Sequence, residues 1–332
     1  MKPVVSVLII TYNQEKYIEQ AILGAINQKC NFPFEIVIGE DCSSDKTLEI
    51  CNHYQKIYPN NIRVIANKTN KGLLNNYFDT LLLCQGKYIA DCAGDDFWTD
   101  EYKLHRQVEI LENNPNASLT YTDYSHYLQD SNTFIHNRQT FLNNKPQKHI
   151  RTYQDDVYEL LNQHEHPFIF VGTSCFRMSA FLNSYNKHTE YFRNPIYTCE
   201  DFQLTFFLLK EGDFYYEDIE TTAYRIIPNT ISRQKDLTKQ FSYTYGAFLL
   251  RMNLMNQFKF KVSKCKEFMT IYYIPLLSLT TILNLKEEQN KIIDIYKKTN
   301  YRPTLQVRFH LLIASNKLLS KLFRYIKTHL LH

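Results

Sequence analysis

The 332-residue chain has no CxxC pair, no internal repeat and no glycine-rich turn after its first apolar segment. It also lacks any unbroken apolar run of the roughly 18 residues that an ordinary membrane-spanning helix needs. Each absence removes a class of function. Eight cysteines are scattered at positions 30, 42, 51, 84, 92, 175, 199 and 265 with no histidine cluster beside them, which argues against a zinc site. The nearest candidate for a span, Ile271 to Leu285, is short and contains Pro275. Met1-Lys2-Pro3 leads directly into a strand-like segment rather than into a signal peptide, so a reducing cytoplasm is the expected compartment. Net charge is only +4, without the basic stripe that nucleic acid would require. Tyr12-Asn13-Gln14-Glu15 stands where a nicotinamide enzyme carries GxGxxG, and where an enzyme that makes activated sugars carries a glycine-rich phosphate loop. There is a single Trp against 25 Tyr and 22 Phe, an aromatic content that mainly fills cores.

What is present is alternation. Val4 to Ile10 is a continuous, β-branched apolar run, as in a strand buried on both faces. Ile18, Ile22 and Ala25 then recur at helical spacing. Phe34 to Ile38, Ile62 to Ala66, Lys87 to Ala90 and Ala117 to Tyr121 read as further strands, with helices over 45–57, 74–84 and 102–111 between them. Such alternation predicts an α/β fold with a mainly parallel sheet covered by helices, whose ligands sit beyond the carboxyl ends of the strands. Residues 125–151 have weak periodicity and read as a long loop flanking an acceptor. Phe214 to Tyr216 and Thr221 to Ile227 read as two more strands, and the chain after Asp236 as helical.

Acids gather where that rule places a site. Asp95-Asp96 follows the fourth strand and offers hard oxygen ligands for Mg²⁺ or Mn²⁺, although the pair alone reads more readily as a solvated turn capping a helix. Asp41 follows the second strand, as a group for a base or ribose or as a helix cap beside Ser43, Ser44 and Asp45. Asn70-Lys71-Gly72 precedes a helix whose N–H groups could meet a phosphate. Glu200-Asp201 opens another helix, either as dipole-favoured acids or as a general base.

Taken in order, these segments resemble the family 2 glycosyltransferases. The resemblance rests on Val5-Ser6-Val7-Leu8-Ile9-Ile10-Thr11-Tyr12-Asn13, on Glu35 through Thr47, and on Gly86-Lys87-Tyr88-Ile89-Ala90 followed by Cys92-Ala93-Gly94-Asp95-Asp96-Phe97-Trp98. It continues in Tyr102-Lys103-Leu104 with Gln107, and is close over residues 4–123 and looser to about 233. It implies a GT-A-type nucleotide-sugar-binding fold over 1–235, with a nucleotide half over 1–123 and an acceptor half over 124–235, and a C-terminal helical extension over 236–332.

It further implies an inverting sugar transfer from a nucleotide-sugar donor, UDP above all, to a glycan or lipid-linked saccharide acceptor in cell-surface polysaccharide synthesis. Thr11, Asn13, Asp41, Lys71, Gly72 and Asp95 would bind the donor, Asp96 a divalent metal (Mn²⁺ or Mg²⁺), and Asp201 would be the catalytic base. Glu200, Trp98, Thr173 and Ser174 would line the acceptor side. Three positions depart from the pattern: Ala93 replaces the first acid of the metal motif, Cys42 a usual glycine, and Ile227-Pro228 follow Arg225 where a histidine is usual. The alternative is a non-catalytic nucleotide-sugar or glycan-binding module on the same fold.

The segment from Pro303 onward has five Lys/Arg (Arg308, Lys317, Lys321, Arg324, Lys327) and no Asp or Glu. Leu318, Leu319, Leu322, Phe323 and Ile326 form an apolar stripe among these charges. Residues 303–332 therefore read either as a helix lying on an anionic membrane at its inner, cytoplasmic face or as a helix packed on the body.

Overall fold

The computed structural model describes residues 2–136, 148–162, 169–198, 200–227, 235–261, 264–299 and 302–329. The first half alternates as the apolar pattern predicts: β1 (Val5–Thr11), α1 (Ile18–Ile26), β2 (Phe34–Glu40), α2 (Thr47–Ile57), β3 (Ile62–Ala66), α3 (Leu73–Leu82) and β4 (Tyr88–Ala93). Then come β5 (Phe97–Trp98), α4 (Lys103–Asn113), β6 (Ala117–Leu128), β7 (Thr133–Ile135), β8 (Ile150–Arg151), α5 (Tyr153–Asn162) and a 3₁₀ turn at Val171–Thr173. The series closes with β9 (Cys175–Arg177), α6 (Met178–Lys187), α7 (Thr189–Arg193), α8 (Asp201–Glu211) and β10 (Asp213–Ile226). Five helices follow: α9 (Leu237–Gln257), α10 (Lys266–Ile282), α11 (Lys286–Lys298), α12 (Leu305–Ser315) and α13 (Lys317–His329).

The sheet runs β3-β2-β1-β4-β9-β6-β10-β5. β1, flanked on both edges by the parallel strands β2 and β4, is the most enclosed, which is why its run of Val, Leu and Ile does not alternate with polar residues. Val5, Val7 and Ile9 on its one face join Ile18, Ile22 and Ala25 of α1 and Leu104, Val108 and Leu111 of α4 in one apolar core. Each of these Val, Leu and Ile side chains contributes about 1.5–3 kcal/mol on burial. β9 inserts antiparallel between β4 and β6, and β6 pairs in parallel with β10, so the sense of the sheet is mixed beyond β4.

Residues 125–151 are not one long loop. Ser125 to Leu128 complete β6, and β7 folds back on its end to pair His126 with Ile135. Positions 137–147 of that expected loop lie outside the described residues. The two strands expected over 214–216 and 221–227 are one long strand, β10, with register shifts around Glu220.

The chain divides into two compact units. One comprises Met1–Val157, His166–Pro195 and Cys199–Ile227 and holds the sheet. The other comprises Tyr158–Glu165, Ile196–Thr198 and Pro228–His332. Within this second unit α10 packs against α9, α11, α12 and α13. Gly246 of α9 lets the Ile196 carbonyl approach so closely that a Cβ there would lie 2.1 Å from its oxygen.

Candidate active site

Because β1 to β4 run parallel, the segments that leave them meet along one edge of the sheet. Backbone bonds lock them together: Asp41 N–H donates to the Thr11 carbonyl at 3.1 Å, Asn67 N–H to Glu40 at 2.9 Å and Gly94 N–H to Ile10 at 3.0 Å. Gly94 is required here, since a Cβ would stand 2.4 Å from Gln14 Oε1 and 2.8 Å from Thr11 Cβ.

Asp41 is buried, and its carboxylate shapes the turn that opens α3. One oxygen accepts from Lys71 N–H at 2.8 Å and Asn67 Nδ2 at 3.0 Å; the other accepts from Gly72 N–H at 2.9 Å. Gly72, at φ 79°, adopts the left-handed conformation that a glycine takes without steric cost. The Lys71 ammonium pairs with Asp79 at 2.8 Å. Asn13, also left-handed at φ 52°, accepts from Ser44 N–H at 2.8 Å and donates its own N–H to Ser43 Oγ at 2.9 Å. Cys42 sits at φ 61°, the backbone reason for the glycine that the family usually carries there. Thr11, Asn13, Asp41, Lys71 and Gly72 thus belong to one hydrogen-bonded lattice.

Asp95 and Asp96 adjoin it. Thr11 donates to Gln14 Oε1 at 2.7 Å, and Gln14 also bonds the Asp95 side chain. Asp96 is almost fully buried and accepts from Arg225 N–H at 2.7 Å. Burial first, and then the charge of Asp95, push the Asp96 carboxyl well above the ordinary range; burial also raises Asp95. Arg225 donates from Nε to the Asp95 carbonyl at 2.6 Å and from its terminal nitrogens to Gln20 and Gln129. Its guanidinium lies about 5 Å from the Tyr17, Phe97 and Tyr127 rings, at 4.9, 5.1 and 5.0 Å.

The third group is at the start of α8. Asp201 is exposed, yet its carboxyl is pushed up to about 6 by desolvation, against the pull of the helix dipole. Beside it Glu200 is raised well above the usual range by burial and by the charge of Asp201. Among the described residues, Glu200 Oε2 and both amide atoms of the fully buried Gln203 have no hydrogen-bond partner.

Asp91, which is not among the residues that the sequence singles out, connects the acid groups. It is buried in β4, accepts from the Tyr77 hydroxyl at 2.5 Å, and is pushed up to about 7 by burial, with the charge of Asp201 adding to the rise. Asp91 in turn raises both Asp96 and Glu200. Asp201 and the Asp95-Asp96 pair are thus both coupled in charge to one buried acid. The signal for it is an aspartate inside an otherwise apolar strand, Tyr88-Ile89-Ala90-Asp91-Cys92-Ala93. Gln14 and Arg225 also touch these acids; the sequence gives no sign for Gln14, whereas Arg225 stands in the segment where the family pattern departs at Ile227-Pro228.

Trp98 is a core side chain: its indole N–H donates to the Gly172 carbonyl at 3.3 Å, and Lys103 Nζ lies 4.4 Å from its ring centre. The hydroxyls of Thr173 and Ser174 bond the carbonyls of Phe170 and Val171 at 2.7 Å each, and Thr173 is held from behind by Gln107 at 2.8 Å. These residues form a fixed wall whose backbone reaches Asp91, whose N–H donates to the Ser174 carbonyl at 3.3 Å. Pro228, one of the residues standing in place of a histidine, lies outside the described residues.

The acids suit a divalent cation only in part. Asp95 and Asp96 are hard oxygen donors whose mutual repulsion a cation would relieve. Among the described residues, however, no three His, Cys, Asp or Glu stand together as a metal-binding group. An ion here would need further oxygens from a phosphate ligand, the way Mg²⁺ is commonly held.

Comparison with known proteins agrees with this arrangement. An uncharacterized protein of Mycobacterium tuberculosis, Rv1520, is 40% identical over 116 residues, 35% of this chain and 34% of its own length. The match thus spans about a third of that relative. A Bacillus subtilis protein named for teichuronic acid biosynthesis as a glycosyltransferase, TuaG, is 29% identical over 239 residues, 70% of this chain and 83% of its own. Among solved structures, Staphylococcus aureus TarS shares the fold with a TM-score of 0.61 at 16% identity, over 99% of this chain and 53% of its own. The mannosyltransferase PcManGT of Pyrobaculum calidifontis, in complex with GDP-Man and Mn²⁺, does so at 0.53 and 11% identity, over 100% and 86%. The family model described as glycosyl transferase family 2 matches residues 6–181, from the buried start of β1 into α6. That match covers more than half of the sequence and includes the ends of β1 to β4, so the chain belongs to glycosyl transferase family 2.

Proposed function

We propose that the protein transfers a sugar, with inversion, from a nucleotide-sugar donor to a hydroxyl of a glycan or lipid-linked acceptor in cell-surface polysaccharide synthesis. UDP is the preferred nucleotide in this reading; TarS 1-349 was solved in complex with UDP-GlcNAc. The transferase domain spans residues 1–235, and the helical region over 236–332 serves it at the cytoplasmic face of the membrane.

The observation that supports the reading is the state of Asp201: it opens α8, is raised to about 6 by desolvation, and is coupled in charge through Asp91 to Asp96 and its neighbour Asp95. A base of that strength is ionised at neutral pH and still basic enough to take a proton from an attacking alcohol. Thr11, Asn13 and Asp41 hold the nucleoside side, with Asp41 acting mainly by fixing the 70–72 turn. Lys71, Gly72 and the start of α3 face the diphosphate, where backbone N–H groups suit an anion. Asp96, with Asp95, would hold the divalent metal together with donor phosphate oxygens. When bound, the ion supplies positive charge for the departing diphosphate. Arg225 keeps the two carboxylates in place, and Thr173 and Ser174 form the acceptor wall with Glu200.

The test is a thermal-shift screen of UDP-, GDP- and dTDP-sugars with Mn²⁺ and with chelator, followed by assay of donor turnover. A metal-dependent shift with one donor and release of its nucleotide is the expected result. Binding without turnover under every condition would favour the non-catalytic module instead.

A further inference from the structure

Two consecutive helices of the second unit carry the same surface pattern. On α12 the exposed residues Leu305, Arg308, Phe309 and Leu312 follow one another at helical spacing. On α13, 13 residues later in each case, stand Leu318, Lys321, Leu322 and Tyr325, all exposed. Both stripes therefore read apolar, basic, apolar, apolar along one helix face. The exposures are large for such residues: Leu305 84%, Phe309 59%, Leu318 79% and Leu322 56%.

These helices are docked within their unit, not loose. α12 buries Val307, Ile313 and Ala314 on its other side, and α13 is tied to α10 by Arg324, which donates to the Thr281 carbonyl at 3.2 Å and to Asn284 Oδ1 at 2.8 Å. Packing on neighbouring helices and presenting an apolar face are thus compatible. The last acidic residue in the sequence is Asp294, so nothing of opposite sign follows on either helix. Arg308 and Lys321 make no ion pair among the described residues.

We infer that α12 and α13 together form a binding surface for an anionic lipid bilayer, the leucines and aromatics entering the headgroup boundary and the basic residues meeting lipid phosphates. A second copy of this chain is a poor occupant, because a self-complementary contact would bring like charges together. Nucleic acid is a poor one because the stripes carry three apolar groups for each basic one. The inference rests on the membrane-face role proposed above for residues 236–332 and is independent of the donor site, so its failure would remove that role and leave the sugar-transfer reading untouched.

The experiment uses the full chain and co-sedimentation with vesicles of 30% phosphatidylglycerol in phosphatidylcholine or of phosphatidylcholine alone. Each basic residue near such a surface is worth roughly a five-fold factor in partitioning. Arg308→Gln with Lys321→Gln is therefore expected to weaken binding to the anionic vesicles by about 25-fold. Leu318→Ser with Leu322→Ser, at positions too exposed to support the core, is expected to abolish it while the thermal shift with nucleotide stays unchanged. Absence of sedimentation with anionic vesicles overturns the inference, as does equal binding to both vesicle types. So does light scattering that shows wild type as an oligomer and the serine variant as a monomer, which would assign the stripes to a second copy.

Discussion

Asp91 gives the most quantitative handle on the site. It is 7% exposed and its carboxyl is raised from the ordinary 3.8 to about 7, mainly by burial. A folded-state value above the unfolded one means that the native state holds this proton more tightly. The corresponding stability is fully present below about 3.8 and is lost as pH rises through about 7. Asp91→Asn removes the charge and keeps an oxygen to accept from Tyr77. At about 1.36 kcal/mol per pH unit, the variant should be more stable than wild type by about 2 kcal/mol at pH 5.5 and about 4 kcal/mol at pH 8.5. Each kcal/mol moves the melting temperature by about 2–4 °C in a domain of this size. Melts followed by circular dichroism should show a gain at pH 8.5 about twice that at pH 5.5. An equal change at both pH values, or a loss at pH 8.5, would refute the reasoning. It would mean that Asp91 is ionised and compensated in the native state, with the buried Lys103, itself lowered to about 8, as the compensating charge.

Three further outcomes follow from the same geometry. Titration calorimetry with Mn²⁺ should give no specific heat for the protein alone and a clear isotherm in the presence of UDP, because no three protein ligands stand together among the described residues; Asp96→Asn should remove the isotherm. Gly94→Ala places a Cβ 2.4 Å from Gln14 Oε1 and should cost about 1–3 kcal/mol in chemical denaturation while weakening donor binding. Cys42→Gly relieves a left-handed residue at φ 61° and should raise stability by up to about 1 kcal/mol, with donor affinity retained.

The N-terminal half is readable from sequence because its strands are buried on both faces, and a continuous β-branched run such as Val5 to Ile10 is the pattern that such burial demands. β6 is only partly readable. Past Tyr121 it runs Thr122-Asp123-Tyr124-Ser125-His126-Tyr127, polar and aromatic on both faces, so no period of two appears. Its hydroxyls are accommodated by partners far along the chain, such as Thr221 for Thr122 at 2.6 Å and Glu220 for Ser125. The acid motifs are legible because they sit at strand ends and helix starts. Asp91 is not, because its role depends on Tyr77 and Asp201, which the fold brings to it from 14 positions before and 110 after. Trp98 reads from the sequence either toward the acceptor side or as a packed core side chain; its bond to Gly172 and its stack with Lys103 place it in the core.

In the proposed reaction Asp201 removes a proton while the acids near residue 95 serve the donor. Turnover of Asp201→Asn is to be measured at saturating nucleotide sugar, in protein shown by thermal shift to bind UDP like wild type. A fall of about 10²–10⁴-fold is expected, with the acidic limb near pH 6 disappearing from the profile. Turnover within a few-fold of wild type, with that limb unchanged, would contradict it.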